Sequence, residues 1–192
     1  MTPRILAFSG SARTGSLNQR LVAVAAEGAR KAGAEVTLIS LRDFPAPIYD
    51  GDLEEASGLP ESIKKLKALM AVHQGLLIAC PEYNSSITPL LKNVIDWLSR
   101  PQPNEAPLAS FDGKVCGLLG ASAGAFGGLR GLFHVRDILQ NIRVTVLPDP
   151  YLVAVARADQ HLDEEGTIKD ERMRGAVENV GRRVATVIAR LA

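Results

Sequence analysis

Gly10-Ser11-Ala12-Arg13-Thr14-Gly15-Ser16-Leu17-Asn18 is the part of this 192-residue chain whose residue types are best suited to chemistry. Ser9, Ser11, Thr14 and Ser16 bring hydroxyls, and Arg13 brings a guanidinium. The segment follows the apolar run Ile5-Leu6-Ala7-Phe8 and precedes apolar residues at helical spacing, Leu17, Leu21, Val24, Ala25 and Ala29. A turn from strand to helix aims backbone N–H groups at one point, and the helix dipole there favours an anion by about 0.3–1 kcal/mol. Hydroxyls and one Arg satisfy the oxygens of a phosphate monoester without a metal. A P-loop would close on Gly-Lys-Ser/Thr, and the segment has no lysine. A dinucleotide fingerprint would need glycine where Ser11 and Arg13 stand. An ordinary turn with Ser16 as helix N-cap is the simpler alternative.

Two more segments have the same character. Pro81-Glu82-Tyr83-Asn84-Ser85-Ser86 directly follows the apolar run Leu76–Cys80. Pro81 keeps Cys80 extended, so the loop leaves the strand with backbone donors and acceptors exposed. A flavin ring needs such groups along its pyrimidine edge, and Tyr83 is placed to lie near it. Gly120, Gly124, Gly127, Gly128 and Gly131 crowd a third loop, with Gly117 just before. That density permits close approach of a ring and unusual backbone angles. Arg130 in this loop is a candidate for contact with a phosphate, or simply a solvated cation.

These loops need elements to hold them. Continuous apolar runs predict strands at Ile5–Phe8, Val36–Ile39, Leu76–Cys80, Val115–Leu119 and Val144–Leu147, the last ended by Pro148. Helical spacing predicts helices from Leu17 to Gly33, over Ser62–Val72, over Pro89–Leu98 with Thr88 as N-cap, over Gly131–Asn141, and from about Lys169 to Leu191. Asp43–Pro60 and the proline-rich Arg100–Ala109 read as loops. The alternation implies a parallel sheet with helices on both faces. The expected fold is α/β and flavodoxin-like: a three-layer sandwich on a five-stranded sheet in the order 2-1-3-4-5, with residues 1–192 forming one domain. In such a sheet the ligand sits at the carboxyl ends of the strands, beside strand 1. The loops after strands 1, 3 and 4 are the three picked out above.

GSARTGSLNQRL, PEYNSSITPLLKNVIDW and LLGASAGAFGGLRG together resemble the NADPH-dependent FMN reductase family, which includes quinone, azo and chromate reductases. Pro81–Trp97 is the most specific block, Ile48–Glu54 resembles the family's active-site-edge loop, and the similarity runs from about Ile5 to Leu147. The resemblance implies that Ser11, Arg13, Ser16, Leu17 and Asn18 bind the FMN phosphate. It implies that Pro81, Glu82, Tyr83 and Asn84 run along the isoalloxazine and ribityl, and that Ser122 and Gly124 close the other side. Tyr49, Ser85 and Arg130 would lie near the substrate. Ser85-Ser86 and Thr88-Pro89-Leu90 depart from the usual family residues at positions that shape the open flavin face. The resemblance also implies a homodimer, with tetramers in some members.

Composition narrows the rest. Lys and Arg number 22 against 21 Asp and Glu, a net charge of +1. That balance gives no footprint for nucleic acid or an anionic membrane, and it disfavours an acidic electron carrier. No apolar run approaches a membrane span, and the N-terminal run is too short for a signal peptide. Cys80 and Cys116 sit in strand-like runs and read as buried small hydrophobes, with no metal spacing and no disulfide framework. His73, His134 and His161 are scattered. A cytoplasmic location follows as the simplest expectation. The expected function is an FMN-dependent NAD(P)H oxidoreductase, using NADPH or NADH. It would pass electrons in a ping-pong cycle to a small acceptor: a quinone, an azo or nitro compound, chromate or free flavin. No catalytic side chain is required, because flavin carries the chemistry. A non-enzymatic FMN-binding electron carrier or redox sensor is the alternative.

Overall fold

Five parallel strands lie in the order β2-β1-β3-β4-β5: β1 Arg4–Ser9, β2 Glu35–Leu38, β3 Gly75–Ala79, β4 Val115–Ala121 and β5 Thr145–Val146. This computed structural model describes residues 1–163 and 165–191. The order is the one expected for a flavodoxin-like sheet. A short sixth strand, β6 Leu152–Val155, pairs in parallel with Leu118–Ala121 of β4. β5 pairs with the first residues of β4 and β6 with the last, so one strand position is filled in two pieces. Pro148 and Pro150 lie between them and have no N–H to donate to the ladder, which is why the strand breaks there. The expected strand over Val144–Leu147 is thus shorter than the sequence indicates, and its continuation was not anticipated.

The central strands β1, β3 and β4 are buried on both faces, and their side chains alternate. Leu6, Phe8, Leu76, Ile78, Cys116 and Leu118 face one core, while Ile5, Ala7, Leu77, Ala79, Val115 and Leu119 face the other. Helices α3 (Glu61–Val72), α4 (Pro89–Leu98) and α5 (Leu129–Asn141) cover the first face. Helices α1 (Leu17–Lys31) and α7 (Glu171–Leu191) cover the second. Cys80 and Cys116 are free thiols inside these cores. Burial pushes Cys80 up to about 12, and burial raises Cys116 as well, so neither offers a thiolate near neutral pH.

The expected loop over Asp43–Pro60 is a correction. It contains a helix, α2 Gly51–Ser57, capped by Asp50, whose carboxylate accepts from Asp52 N at 2.9 Å. None of its residues is buried, so no apolar stripe marked it in the sequence. A one-turn helix, α6 Ala158–His161, follows β6. No described helix is long and apolar enough to cross a membrane.

Candidate cofactor site

The loop after β1 is held from three sides. Gly10 N donates to Ala79 O at 2.9 Å, which continues the sheet ladder past the end of β1. Thr88 Oγ1 donates to Gly10 O at 2.7 Å and accepts from Leu91 N at 3.2 Å, so the residue that caps α4 also anchors this loop. Arg42 reaches Ala12 O and, at 3.3 Å, Thr14 Oγ1. Ser16 caps α1, its Oγ accepting from Gln19 N at 3.4 Å and its carbonyl from Arg20 N at 3.1 Å. The N–H groups of Leu17 and Asn18 have no acceptor among the described residues. They are the open donors of a helix N-terminus.

Asn18 fixes the angle between this helix and the sheet. Its side chain is 4% exposed, donates to Ala121 O at 2.8 Å and accepts from Ala121 N at 3.0 Å. Both ends of the amide are therefore engaged by the end of β4, and the backbone N–H of Asn18 stays open at the start of α1. Beyond Ala121 the chain is tied to α6. Ala158 N donates to Ser122 O at 2.9 Å, and Arg157 N donates to Gly124 O at 3.1 Å.

The loop after β3 makes a tight turn. Tyr83 N donates to Ser86 O and Ser86 N to Tyr83 O, both at 3.0 Å. The central residues Asn84 and Ser85 have φ of 50° and 67°. This is the two-residue turn that favours Asn-Gly, and Ser85 occupies the glycine position. Relief of the left-handed strain, about 1–2 kcal/mol, outweighs the added chain entropy of glycine, about 0.5–1 kcal/mol. Ser85→Gly is expected to stabilise the protein by about 0.5–1 kcal/mol, which calorimetry would register as a rise of about 1–4 °C in Tm. An unchanged or lower Tm would show that Ser85 is not strained.

Together the three loops enclose a cleft of about 460 Å³, within the roughly 300–1,000 Å³ typical of small-ligand sites. Ser11, Arg13, Gly15, Ser16, Leu17 and Asn18 form one wall; Pro81, Glu82 and Tyr83 form another. Ala121, Ser122, Ala123 and Asp159 complete it. Nine of the fourteen residues singled out from sequence therefore meet here. Asn84 and Ser85 sit at the tip of the turn, and Gly124 is engaged with Arg157. Arg130 pairs with Glu82 and stacks over the Phe126 ring at 4.9 Å. Tyr49 does not line the cleft. Its ring meets Trp97 edge-on at 5.0 Å, its hydroxyl donates to Glu54 at 2.9 Å, and Arg100 lies over its face. Asp159 was missed: it reaches the cleft only because β6 and α6 return there.

The cleft suits one phosphate monoester and an elongated polar chain. Two open helix N–H groups, hydroxyls of Ser11 and Ser16, and the exposed Arg13 gather at one end. Glu82 stays ionised beside them. Burial raises its carboxyl, but the Arg130 side chain and the N–H groups of Gly131 and Arg130 outweigh this and hold it below the usual carboxylate range. A larger groove of about 570 Å³ lies between α5 and the β5–β6 break, against Phe133, Val146 and Pro148. It is mostly apolar and lacks the open helix N–H groups of the cleft, so the cleft is the candidate site.

An open parallel sheet in the order 2-1-3-4-5, with a cleft at the carboxyl ends of its strands beside β1, defines a flavodoxin-like fold. The solved structure of FerB, a flavoenzyme NAD(P)H:(acceptor) oxidoreductase from Paracoccus denitrificans, has this fold, with a TM-score of 0.79 over 98% of both chains at 24% identity. The family model of NADPH-dependent FMN reductases matches residues 3–159, and the chain belongs to that family. It is 34% identical over 175 residues to an NAD(P)H-dependent FMN reductase from Pseudomonas aeruginosa, covering 91% of this chain and 89% of the relative. It is 36% identical over 148 residues to a quinone reductase from Escherichia coli K12, covering 77% and 74%. The chain is thus an NAD(P)H-dependent oxidoreductase with FMN as its cofactor, and the donor set of the cleft fits that group.

Proposed function

We propose that this enzyme passes electrons from NAD(P)H to small acceptors, quinones first among them, at one open face of FMN in turn. The observation that carries this reading is the convergence of the loops after β1, β3 and β4 on one cleft with an anion end and an exposed tyrosine at the rim. The relatives named as quinone reductases support the acceptor class. Azo and nitro compounds, chromate and free flavin stay in the reading as further acceptors. Bound FMN supplies the hydride acceptance and the electron return.

The residues supply placement. Ser11, Arg13, Ser16 and the N–H groups of Leu17 and Asn18 grip the phosphate. Pro81, Glu82, Tyr83 and Asn84 offer backbone along the ring, and Ser122 and Gly124 border the ribityl side. Ser85 and Arg130 adjoin that wall through Asn84 and Glu82. Tyr49 enters only through the segment it anchors on Trp97. We take residues 1–192 as one domain, active in the cytoplasm as a homodimer that covers the ring. Sedimentation equilibrium of a fully active monomer would overturn the dimer.

Steady-state rates with NADPH and a benzoquinone test the shared face. Parallel lines in double-reciprocal plots are expected, and NADPH should inhibit competitively against the quinone at high concentration. Intersecting lines would mean that donor and acceptor are bound together and would reject the reading.

A further inference from the structure

Helix α5 begins without a cap of its own. Its N-cap residue is Gly128, and no side chain of the α5 N-terminal segment satisfies the first turn. The acceptor comes from another loop, 48 residues earlier. Glu82 Oε2 accepts from Arg130 N at 3.0 Å and from Gly131 N at 3.3 Å, while Oε1 accepts from Arg130 Nε at 2.7 Å. The Glu82 side chain is 8% exposed and that of Arg130 is 52% exposed, so the carboxylate is shielded by its partners while the guanidinium stays in water. A carboxylate at a helix N-terminus is favoured by both the open N–H groups and the dipole.

The same turn is pinned twice more. Gly131 lies directly under it: a Cβ there would stand 3.2 Å from Ser86 O and 3.6 Å from Glu82 Cα. One turn further along α5, His134 Nδ1 meets Ser86 Oγ at 2.9 Å. The segment from Glu82 to Ser86 is thus laid along the first two turns of α5. Because α5 follows the glycine-rich loop, this contact couples two of the three walls of the cleft.

We propose that Glu82 is a positioning residue: its carboxylate caps α5 and locks the Tyr83–Ser86 turn in the geometry that the turn presents to the cleft. The proposal rests on the FMN reading of the cleft. On this account the carboxylate is not a ligand of the cofactor. It acts through the turn and through the Gly128 end of α5, and its loss loosens both walls together.

Glu82→Ala and Glu82→Gln separate the roles. Glutamine keeps an acceptor for the two backbone N–H groups and loses the ion pair with Arg130; alanine loses both. Amide hydrogen exchange followed by NMR reads the cap without any flavin. Protection of Arg130 and Gly131 should fall at least tenfold in Glu82→Ala and stay within about threefold of wild type in Glu82→Gln. Flavin binding to apoprotein should follow the same order, with the FMN Kd raised at least tenfold by alanine and rescued by glutamine. The visible circular dichroism of bound FMN should change in alanine alone. Equal amide protection in all three proteins would overturn the cap, whatever FMN does. Lost protection with unchanged FMN affinity and an unchanged flavin spectrum would overturn the positioning role. A wild-type protein that binds no FMN would instead overturn the reading of the cleft, and the exchange data would still decide the cap.

Discussion

Gly181→Ala is expected to be among the most damaging single-methyl changes in this protein, lowering its stability by about 3 kcal/mol. A Cβ at Gly181 would stand 1.9 Å from Ala25 O, and one at Gly28 would stand 2.0 Å from Glu178 O. Both obstacles are backbone, so neither can swing aside. Helices α1 and α7 must move apart, and Val177, Val180, Val184 and Ile188 are drawn away from the sheet. Against a total of about 5–15 kcal/mol this is a large fraction. Gly175 on the same helix has nothing within 4 Å of its Cβ position. Gly175→Ala should therefore leave stability unchanged or raise it by up to about 1 kcal/mol through helix propensity. Urea unfolding of the two variants gives the comparison. Equal midpoints would show that the α1–α7 crossing is not as close as described.

Arg13→Ala should raise the FMN Kd about 10–100-fold, the loss of one charge-assisted contact worth about 1.5–3 kcal/mol. Arg13 is exposed on the cleft wall beside the open N–H groups of α1, and its removal leaves the fold untouched. Riboflavin lacks the phosphate, so its Kd should barely move. Fluorescence quenching with both ligands reads the difference. An unchanged FMN Kd, or equal losses for FMN and riboflavin, would place the phosphate elsewhere.

The sheet was legible because its central strands β1, β3 and β4 are almost wholly apolar runs, and Thr88-Pro89 and Ser16 marked their helix starts as capping chemistry does. Helix α2 was not legible because none of its residues is buried. It is held by Asp50 and by the contacts of Glu54 with Tyr49 and Arg100, which are long-range or local polar events with no period. Strand β6 has an apolar sequence, but Pro148 reads as an end. Only the length of β4 shows that a second piece is needed beside Leu118–Ala121. The site divides in the same way. That the loop after β1 would line the cleft could be read from residue types and spacing. The pairing of Glu82 with α5, the grip of Asn18 on Ala121 and the arrival of Asp159 depend on residues 48, 103 and more positions apart that only the fold brings together. Tyr49 is the converse case: an aromatic beside a loop suggests a substrate contact, and the fold spends it on Trp97.

Anaerobic titration of the FMN-loaded protein tests the central claim most directly. Under nitrogen, a stoichiometric addition of NADPH or NADH should bleach the flavin absorbance in the absence of any acceptor. One equivalent of a benzoquinone should then restore it, with the hydroquinone formed in equal amount. A protein that takes up no FMN, or whose bound FMN stays oxidised with both nicotinamides, would contradict the account.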